Sequence, residues 1–423
     1  MKILFVTDTY PPNVNGAALA THRLAVALSR DNQDMYVLAP STAFRNYKRQ
    51  EEGITVYRFR SILVQRSQRL RVSPQPLHFR EIKKIIDEIK PDVIHVNNPG
   101  FIAQSAIRIG KKRNIPVIGT SHIMPENLVH YFRLPDSLEK VVANVIGKQY
   151  GYIYSKLDLI IAPTQTAANL LHKLQLKNKI VVISNGIDLT RFNPQNDGEY
   201  LRQRFEIPAK PNILFLGRLD PEKSLDVLLR AVALLKKRLD LHLTIVGKGR
   251  EMKNLKQLAE LLGITEDVTF AGYLPDRDLP NIYSVADIFV MPSIAELQSL
   301  VCMEAMACGL PVVGADAVAL PHLIKNGING YLFKPGDAAD LAEKLSNILS
   351  DKTLQKKMGE ESLKIIKPHD MRIVVRQVEE VYDEGIGMSK DRKPVDMTFK
   401  KTVFSNLGRV KDYMSDFRGI FTE

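Results

Sequence analysis

The chain has 423 residues, 45% of them hydrophobic and 25% charged, with a formal net charge of +12. That apolar share can build packed cores, which excludes a disordered or fibrous chain, and the length points to two domains. Two cysteines, Cys302 and Cys308, exclude a disulfide framework and fit a reducing cytoplasm, while the basic excess favours a nucleotide, a nucleic acid or an acidic membrane surface as partner.

No uninterrupted apolar run of about 18 residues occurs, so no helix is expected to span a bilayer. The first apolar stretch, Ile3-Leu4-Phe5-Val6, is too short for a signal peptide and reads as the first strand. Short β-branched runs bounded by Pro, Gly or Asn predict strands at 3–6, 35–38, 55–59, 93–96, 117–120, 159–162 and 180–183. Helical spacing predicts helices at 17–29, 79–89 and near 138–155. A second series follows Pro208-Ala209-Lys210-Pro211, with strands at 213–216, 241–246, 268–271, 288–291, 311–313 and 330–333. Its helices are expected at 224–238 and from Gly249 to residue 262. Such alternation is that of βαβ units, so the fold class is α/β: two doubly wound, Rossmann-like domains with a ligand cleft beyond the carboxyl ends of their strands. The boundaries predicted are 1–193, a Pro-rich polar linker at 194–210, 211–367, a C-terminal helix at 368–386 returning to the first domain, and a tail at 387–423. Gly385-Ile386-Gly387 is expected to break that helix. The tail from Ser389 carries eight basic and five acidic residues, with Phe399, Phe404, Tyr413, Phe417 and Phe421 interleaved.

Three segments at predicted strand–helix turns can carry chemistry. In the first, running from Ser293 to Pro311, Glu296 and Glu304 stand eight apart. Ser299 is a plausible N-cap between them, so the N–H groups around Leu300 would be open to an anion. Ordinary surface acids on a core helix are the equal alternative. In the second, Gly217-Arg218-Leu219-Asp220-Pro221-Glu222-Lys223, an arginine fork and a lysine point charge five residues apart can clamp a diphosphate. A basic turn with Ser224 capping the next helix is the plainer reading. In the third, Tyr10-Pro11-Pro12-Asn13-Val14-Asn15-Gly16, Gly16 lets backbone approach a ligand at a helix start, a plain strand–helix turn being an equal contender.

Together these segments resemble the retaining, nucleotide-sugar-dependent glycosyltransferases of GT-B architecture, in the glycogen-synthase-like superfamily. The resemblance implies that Arg218 and Lys223 stabilise a departing diphosphate and that Glu304 holds the nucleotide ribose. Glu296, with Ser299 and Leu300, would hold the donor sugar, while Gly16 would approach the phosphates from the other domain. The segment Gly119-Thr120-Ser121-His122-Ile123-Met124-Pro125-Glu126 is similar to one in diacylglycerol glucosyltransferases and phosphatidylinositol mannosyltransferases. It implies that His122 stands beside the reacting sugar, with Tyr10 also on the acceptor side. A lone histidine is otherwise more often structural.

Asp276-Arg277-Asp278 matches a metal-binding Asp-x-Asp only formally and reads as a solvated turn; no metal and no cofactor is expected beyond the sugar nucleotide as co-substrate. Gly247-Lys248-Gly249 lacks the third glycine of a dinucleotide fingerprint. His22, His95, His122 and His130 show no zinc spacing. Between Arg45 and Arg71, eight basic residues face two acids. Arg58, Arg60, Arg66, Arg69 and Arg71, with Lys111, Lys112 and Arg113, are candidate contacts to an anionic membrane, a solvated basic face being the alternative. The aromatic, basic tail is a further candidate anchor. No recognition module suggests nucleic acid. The sequence thus leads to a hexosyltransferase, with UDP-glucose as donor and diacylglycerol or a related glycerolipid as acceptor. It would be bound peripherally at the inner face of the cell membrane. A soluble transferase making polysaccharide or a small glycoside is the rival, and a catalytically silent nucleotide-sugar binder the alternative from another class.

Overall fold

A computed structural model describes residues 1–13, 15–65, 70–73, 75–97, 100–122 and 147–390. The tail beyond 390, residues 123–146 with His130 and the Met124-Pro125-Glu126 run, and Arg66 and Arg69 lie outside the described residues. The first sheet contains β1 (Lys2–Val6), β2 (Asp34–Pro40), β3 (Tyr47–Glu51), β4 (Ile54–Phe59), β7 (Val93–Val96), β8 (Val117–Thr120), β9 (Leu159–Ala162) and β10 (Lys179–Val182), in the order β10-β9-β8-β7-β1-β2-β4-β3. All its pairings are parallel except β3 with β4, and a separate ribbon joins β5 (Ile62–Gln65) to β6 (Leu70–Val72). The second sheet is wholly parallel: β13 (Val268–Gly272), β12 (His242–Val246), β11 (Asn212–Leu216), β14 (Ile288–Met291), β15 (Val312–Ala315) and β16 (Gly330–Phe333), in that order across the sheet. Central strands such as Asn-Ile-Leu-Phe-Leu at β11 are buried throughout, because helices cover both faces.

Beyond β10, Ile187 and Phe192 already lie in the core of the second domain, as does Leu201 on the helix Glu199–Arg204. Polar residues read as a linker are turn-formers: Asn196 Oδ1 accepts from Asn193 N–H at 2.8 Å, and Asp197 Oδ1 accepts from Glu199 N–H at 2.9 Å. Contacts with the second domain's core thus begin ahead of the 194–210 segment, at Ile187. There the chain crosses twice, side by side, with Ile187 N–H donating to His369 O and Met371 N–H to Ile187 O, each at 2.9 Å.

After the second crossing, the C-terminal helix Met371–Lys390 lies on the first sheet. Met371, Val374, Val375, Val378, Val381 and Tyr382, at helical spacing, join Ile3, Phe5 and Ile118 in one core. Burying six such side chains contributes on the order of 10 kcal/mol before chain entropy is subtracted. The predicted break at Gly385-Ile386-Gly387 does not occur: the helix runs through to Lys390. Gly385 instead permits close approach, since a Cβ there would stand 3.1 Å from Ile118 Cδ1.

Candidate active site

The carboxyl ends of the two sheets face each other. Thr164, just beyond β9, donates its hydroxyl to Leu297 O at 3.0 Å, in the loop after β14. Gln298 spans the same gap, accepting from Asn185 N–H at 2.7 Å and donating to Ser184 Oγ at 3.0 Å.

On the second-domain side, β11 ends at Leu216 and the chain turns through Gly217 to Arg218. The guanidinium of Arg218 donates to Asp220 and, at 2.7 Å, to Glu222 Oε1. Lys223 is ion-paired with Glu296. Glu222 O accepts from Ile294 N–H and from the Ser293 hydroxyl, each at 3.2 Å, which fastens the two loops together. Burial alone would raise the Glu296 carboxyl, but the charge and hydrogen bond of Lys223 outweigh it and hold Glu296 below its ordinary value. Arg218, Lys223 and Glu296 thus form one cluster. The acids that neutralise Arg218 were not anticipated. Asp220 and Glu222 had a signal, standing two and four residues after the arginine on one tight turn.

Gly247-Lys248-Gly249 has a structural task in this cluster. A Cβ on Gly247 would come within 1.8 Å of Gly217 O, and one on Gly249 within 2.2 Å of Leu219 O. Lys248 O accepts from Leu219 N–H at 3.1 Å. Both glycines are there so that the loop after β12 can brace the Arg218 turn backbone to backbone.

Ser299 caps the helix Leu300–Ala307, its hydroxyl accepting from Cys302 N–H. The first N–H groups of that helix, from Leu300 onward, therefore point at the cleft end. Glu304, one turn further in, is only 2% exposed. Its Oε1 accepts from Arg23 at 2.7 Å and its Oε2 from the Tyr283 hydroxyl at 2.5 Å. Cys302 is buried and Cys308, at the helix end, half-buried. Asp276 is ion-paired with Arg191 at 2.6 Å. Among the described residues, no group of three or more His, Cys, Asp or Glu is placed to hold a metal ion.

On the first-domain side, Gly16 begins α1 (Gly16–Arg30), and Asn15 caps it by accepting from Ala18 N–H at 2.8 Å. Gly16 is exposed and a Cβ there would meet nothing within 4 Å, so this helix start is open to a ligand. His122, half-buried beyond β8, places Nε2 3.3 Å from Asn97 Oδ1. Burial lowers its pKa to about 4, so the imidazole is neutral at pH 7. Behind it, His95 bonds Tyr382 on the C-terminal helix at 2.6 Å and Thr120 at 2.7 Å.

Two assignments are corrected. Tyr10 is 2% exposed, with its hydroxyl 3.1 Å from His22 Nδ1, so it belongs to the core and not to an acceptor surface. Arg58 is 4% exposed, donating to Pro40 O at 3.2 Å and to Pro11 O, with its guanidinium 5.2 Å from the Tyr10 ring centroid. It braces the loop after β1 and cannot touch a membrane. Of the other basic candidates, Lys111 pairs with Asp158, Arg113 with Asp87 at 2.7 and 2.9 Å, and Arg71 bonds Ser61 at 2.7 Å. Arg60 and Lys112 are exposed. Arg60 lies over Phe44, which is 80% exposed, and is followed in the chain by the exposed Ile62, at 60%, and Leu63, at 41%. Phe44 stands alone in sequence, and the hydrogen bond from the Ser61 hydroxyl to Ser41 O brings its loop to the start of β5.

Two facing Rossmann-like domains with the cleft between their strand ends define the GT-B class. The family model Glycosyltransferase Family 4 matches residues 14–191, and Glycosyl transferases group 1 matches 198–364. The chain belongs to the group 1 glycosyltransferases of GT-B fold. It is 30% identical over 343 residues to the sulfoquinovosyl transferase SQD2 of Arabidopsis thaliana, covering 75% of this chain and 62% of the relative. To the alpha-monoglucosyldiacylglycerol synthase of Streptococcus pneumoniae it is 27% identical over 339 residues, 79% of this chain and 75% of the relative. The chain thus spans less than two thirds of the first relative's length. Among solved structures, Anabaena HepE in complex with UDP and glucose superposes with a TM-score of 0.72 at 22% identity, covering 91% of this chain and all of the other, a likeness of fold.

Proposed function

We propose that the protein transfers a hexose from a nucleoside-diphosphate sugar, with UDP-glucose the first donor to test, to a membrane glycerolipid such as diacylglycerol, with retention of anomeric configuration. The observation that carries this reading is the Arg218–Lys223–Glu296 cluster at the capped start of the helix Leu300–Ala307, across the cleft from the open helix start at Gly16. Cleaving a sugar–diphosphate bond builds negative charge on the leaving group. A guanidinium, an ammonium and two helix N-termini stabilise that charge in place of a metal ion. Each cation is held by carboxylates until an anion arrives: Arg218 exchanges Asp220 and Glu222, and Lys223 exchanges Glu296, for diphosphate oxygens. Glu296, released from Lys223, then takes sugar hydroxyls.

The departing diphosphate itself accepts the proton of the attacking hydroxyl on the same face of the sugar, so no protein nucleophile is needed. Neutral His122 stands on the acceptor side as a hydrogen-bonding group for the reacting sugar. Glu304 is assigned to the ribose hydroxyls.

The lipid acceptor is supported by the name of the second relative, a monoglucosyldiacylglycerol synthase, and by an exposed apolar knob, Phe44 against Arg60, with Ile62 and Leu63 also exposed on the following strand. Among the described residues no helix is long and apolar enough to cross a membrane, and this knob is the proposed point of peripheral contact. The test is nucleoside diphosphate release from UDP- and GDP-sugars, with and without diacylglycerol in anionic vesicles. Release that depends on diacylglycerol is expected; release stimulated only by a soluble sugar or polyol would replace the lipid reading with the rival one. Arg218→Ala and Glu296→Ala are each expected to lower kcat/KM by about 10²–10³ while melting near the wild-type temperature. Near-normal turnover in either variant would sink the site assignment.

A further inference from the structure

Arg23 is seven residues into α1, on the face whose Ala20 is packed in the core of the second domain. Its guanidinium lies 5.4 Å from the Phe192 ring centroid and donates to Glu304 Oε1 at 2.7 Å. The other oxygen of Glu304 is taken by Tyr283, of its own domain. Burial lowers the Arg23 pKa, but the charge of Glu304 and the hydrogen bond to it more than offset this and keep the group charged. The carboxylate assigned to the ribose is thus almost fully enclosed, and the side facing the first domain is covered by Arg23.

This pair ties the two domains through one contact. It is a single N–H···O contact rather than a two-pronged fork, and Arg23 Nη2 is buried with no hydrogen-bond partner. A vicinal diol brings hydroxyl donors to a carboxylate as a guanidinium does. We propose that Arg23 gates the donor site: the ribose diol of a nucleoside diphosphate reaches Glu304 only by displacing Arg23, so that occupying the site releases this tie between the domains. The proposal rests on reading Glu304 as the ribose ligand. It makes Arg23 a positioning residue, acting through Glu304, and it couples nucleotide binding to interdomain movement because the diol and Arg23 compete for one oxygen.

The test compares the Kd of UDP and GDP with those of their 2′,3′-dideoxy analogues, for wild type and for Arg23→Gln, Arg23→Lys and Glu304→Gln. In wild type the diol-bearing nucleotide is expected to bind more tightly. Glu304→Gln should bring the ratio of the two constants close to one. Arg23→Gln should raise that ratio about fivefold or more by tightening only the diol-bearing ligand, and Arg23→Lys, which keeps the tie, should behave as wild type. A ratio near one in wild type would remove the ribose reading of Glu304, and the gate with it. A clear wild-type ratio, lost in Glu304→Gln but unchanged in Arg23→Gln, would overturn the gate alone. Should Arg23→Gln not fold, small-angle scattering of wild type decides. UDP or GDP, but not the dideoxy analogue, should change the interdomain distance, and no change with either would end the proposal.

Discussion

Arg58 and Arg60 stand two residues apart in one basic run, yet they do different work. Arg58 points into the loop after β1 and bonds two carbonyl groups, while Arg60 lies at the surface over Phe44. Removing Arg58 leaves carbonyls and the Tyr10 ring without their partner, so Arg58→Ala is expected to cost about 2–4 kcal/mol of stability in urea unfolding. Phe44→Asp, by contrast, should leave stability within about 0.5 kcal/mol and weaken flotation with anionic vesicles. The reverse pattern would remove the knob from the membrane reading.

Titration is also a matter of single residues. His95, with no exposed surface, is held by burial at about 3. The unfolded chain binds a proton at this site between about 6.5 and about 3 and the native chain does not, so stability falls as pH drops through that window. His122 adds to the loss between about 6.5 and about 4. Asp8 opposes both: burial raises its carboxyl to about 7, although the Gly100 and Ile102 amides favour its charged form, so it destabilises the fold as pH rises from about 3.8 to 7. Asp8→Asn should therefore steepen the loss of stability between pH 7 and pH 5, and His95→Gln should flatten it. Unchanged urea midpoints across that range in both variants would contradict the assignment.

At the level of elements, the glycines of the last helix show what local sequence leaves out. The C-terminal helix was legible at 368–386, but two glycines close together look like a terminus when neighbours are unknown. Only the fold shows that Gly385 lies against Ile118 while Gly387 faces open space. The two positions therefore respond oppositely. Gly385→Val should destabilise by about 1–3 kcal/mol through overpacking, whereas Gly387→Ala should be neutral or stabilise by up to about 1 kcal/mol. Equal midpoints for the two would mean that the helix does not pack as described. The Gly247 and Gly249 loop has the same moral, since its purpose is contact with Gly217 and Leu219, some thirty residues away in sequence. Most strands were legible because buried parallel strands are continuous β-branched runs. The short ribbon β5–β6 and the edge strand β3, rich in charge, were not.

Across the whole molecule, the alternation of strand and helix was enough to read two doubly wound domains and to put Arg218, Lys223 and Glu296 at strand ends. What remained hidden was every contact joining distant parts. Glu304 read either as a ligand group or as an ordinary surface acid, because nothing near it in sequence announces Arg23 from the other domain. Tyr10 and Arg58 read as surface residues because aromatic and charged side chains are commonly exposed, and their mutual stacking spans some fifty positions.

The position of the last helix has a consequence for how the chain is made. One flank of the first sheet is finished only by residues 371–390, yet its own final strand ends at Val182. During vectorial synthesis at about 5–20 residues per second, roughly 190 further residues must emerge first, so Ile3, Phe5 and Ile118 wait on the order of 10–40 s without their cover. A nascent chain stalled before residue 371 should therefore recruit a holdase chaperone, and release it once the terminus emerges.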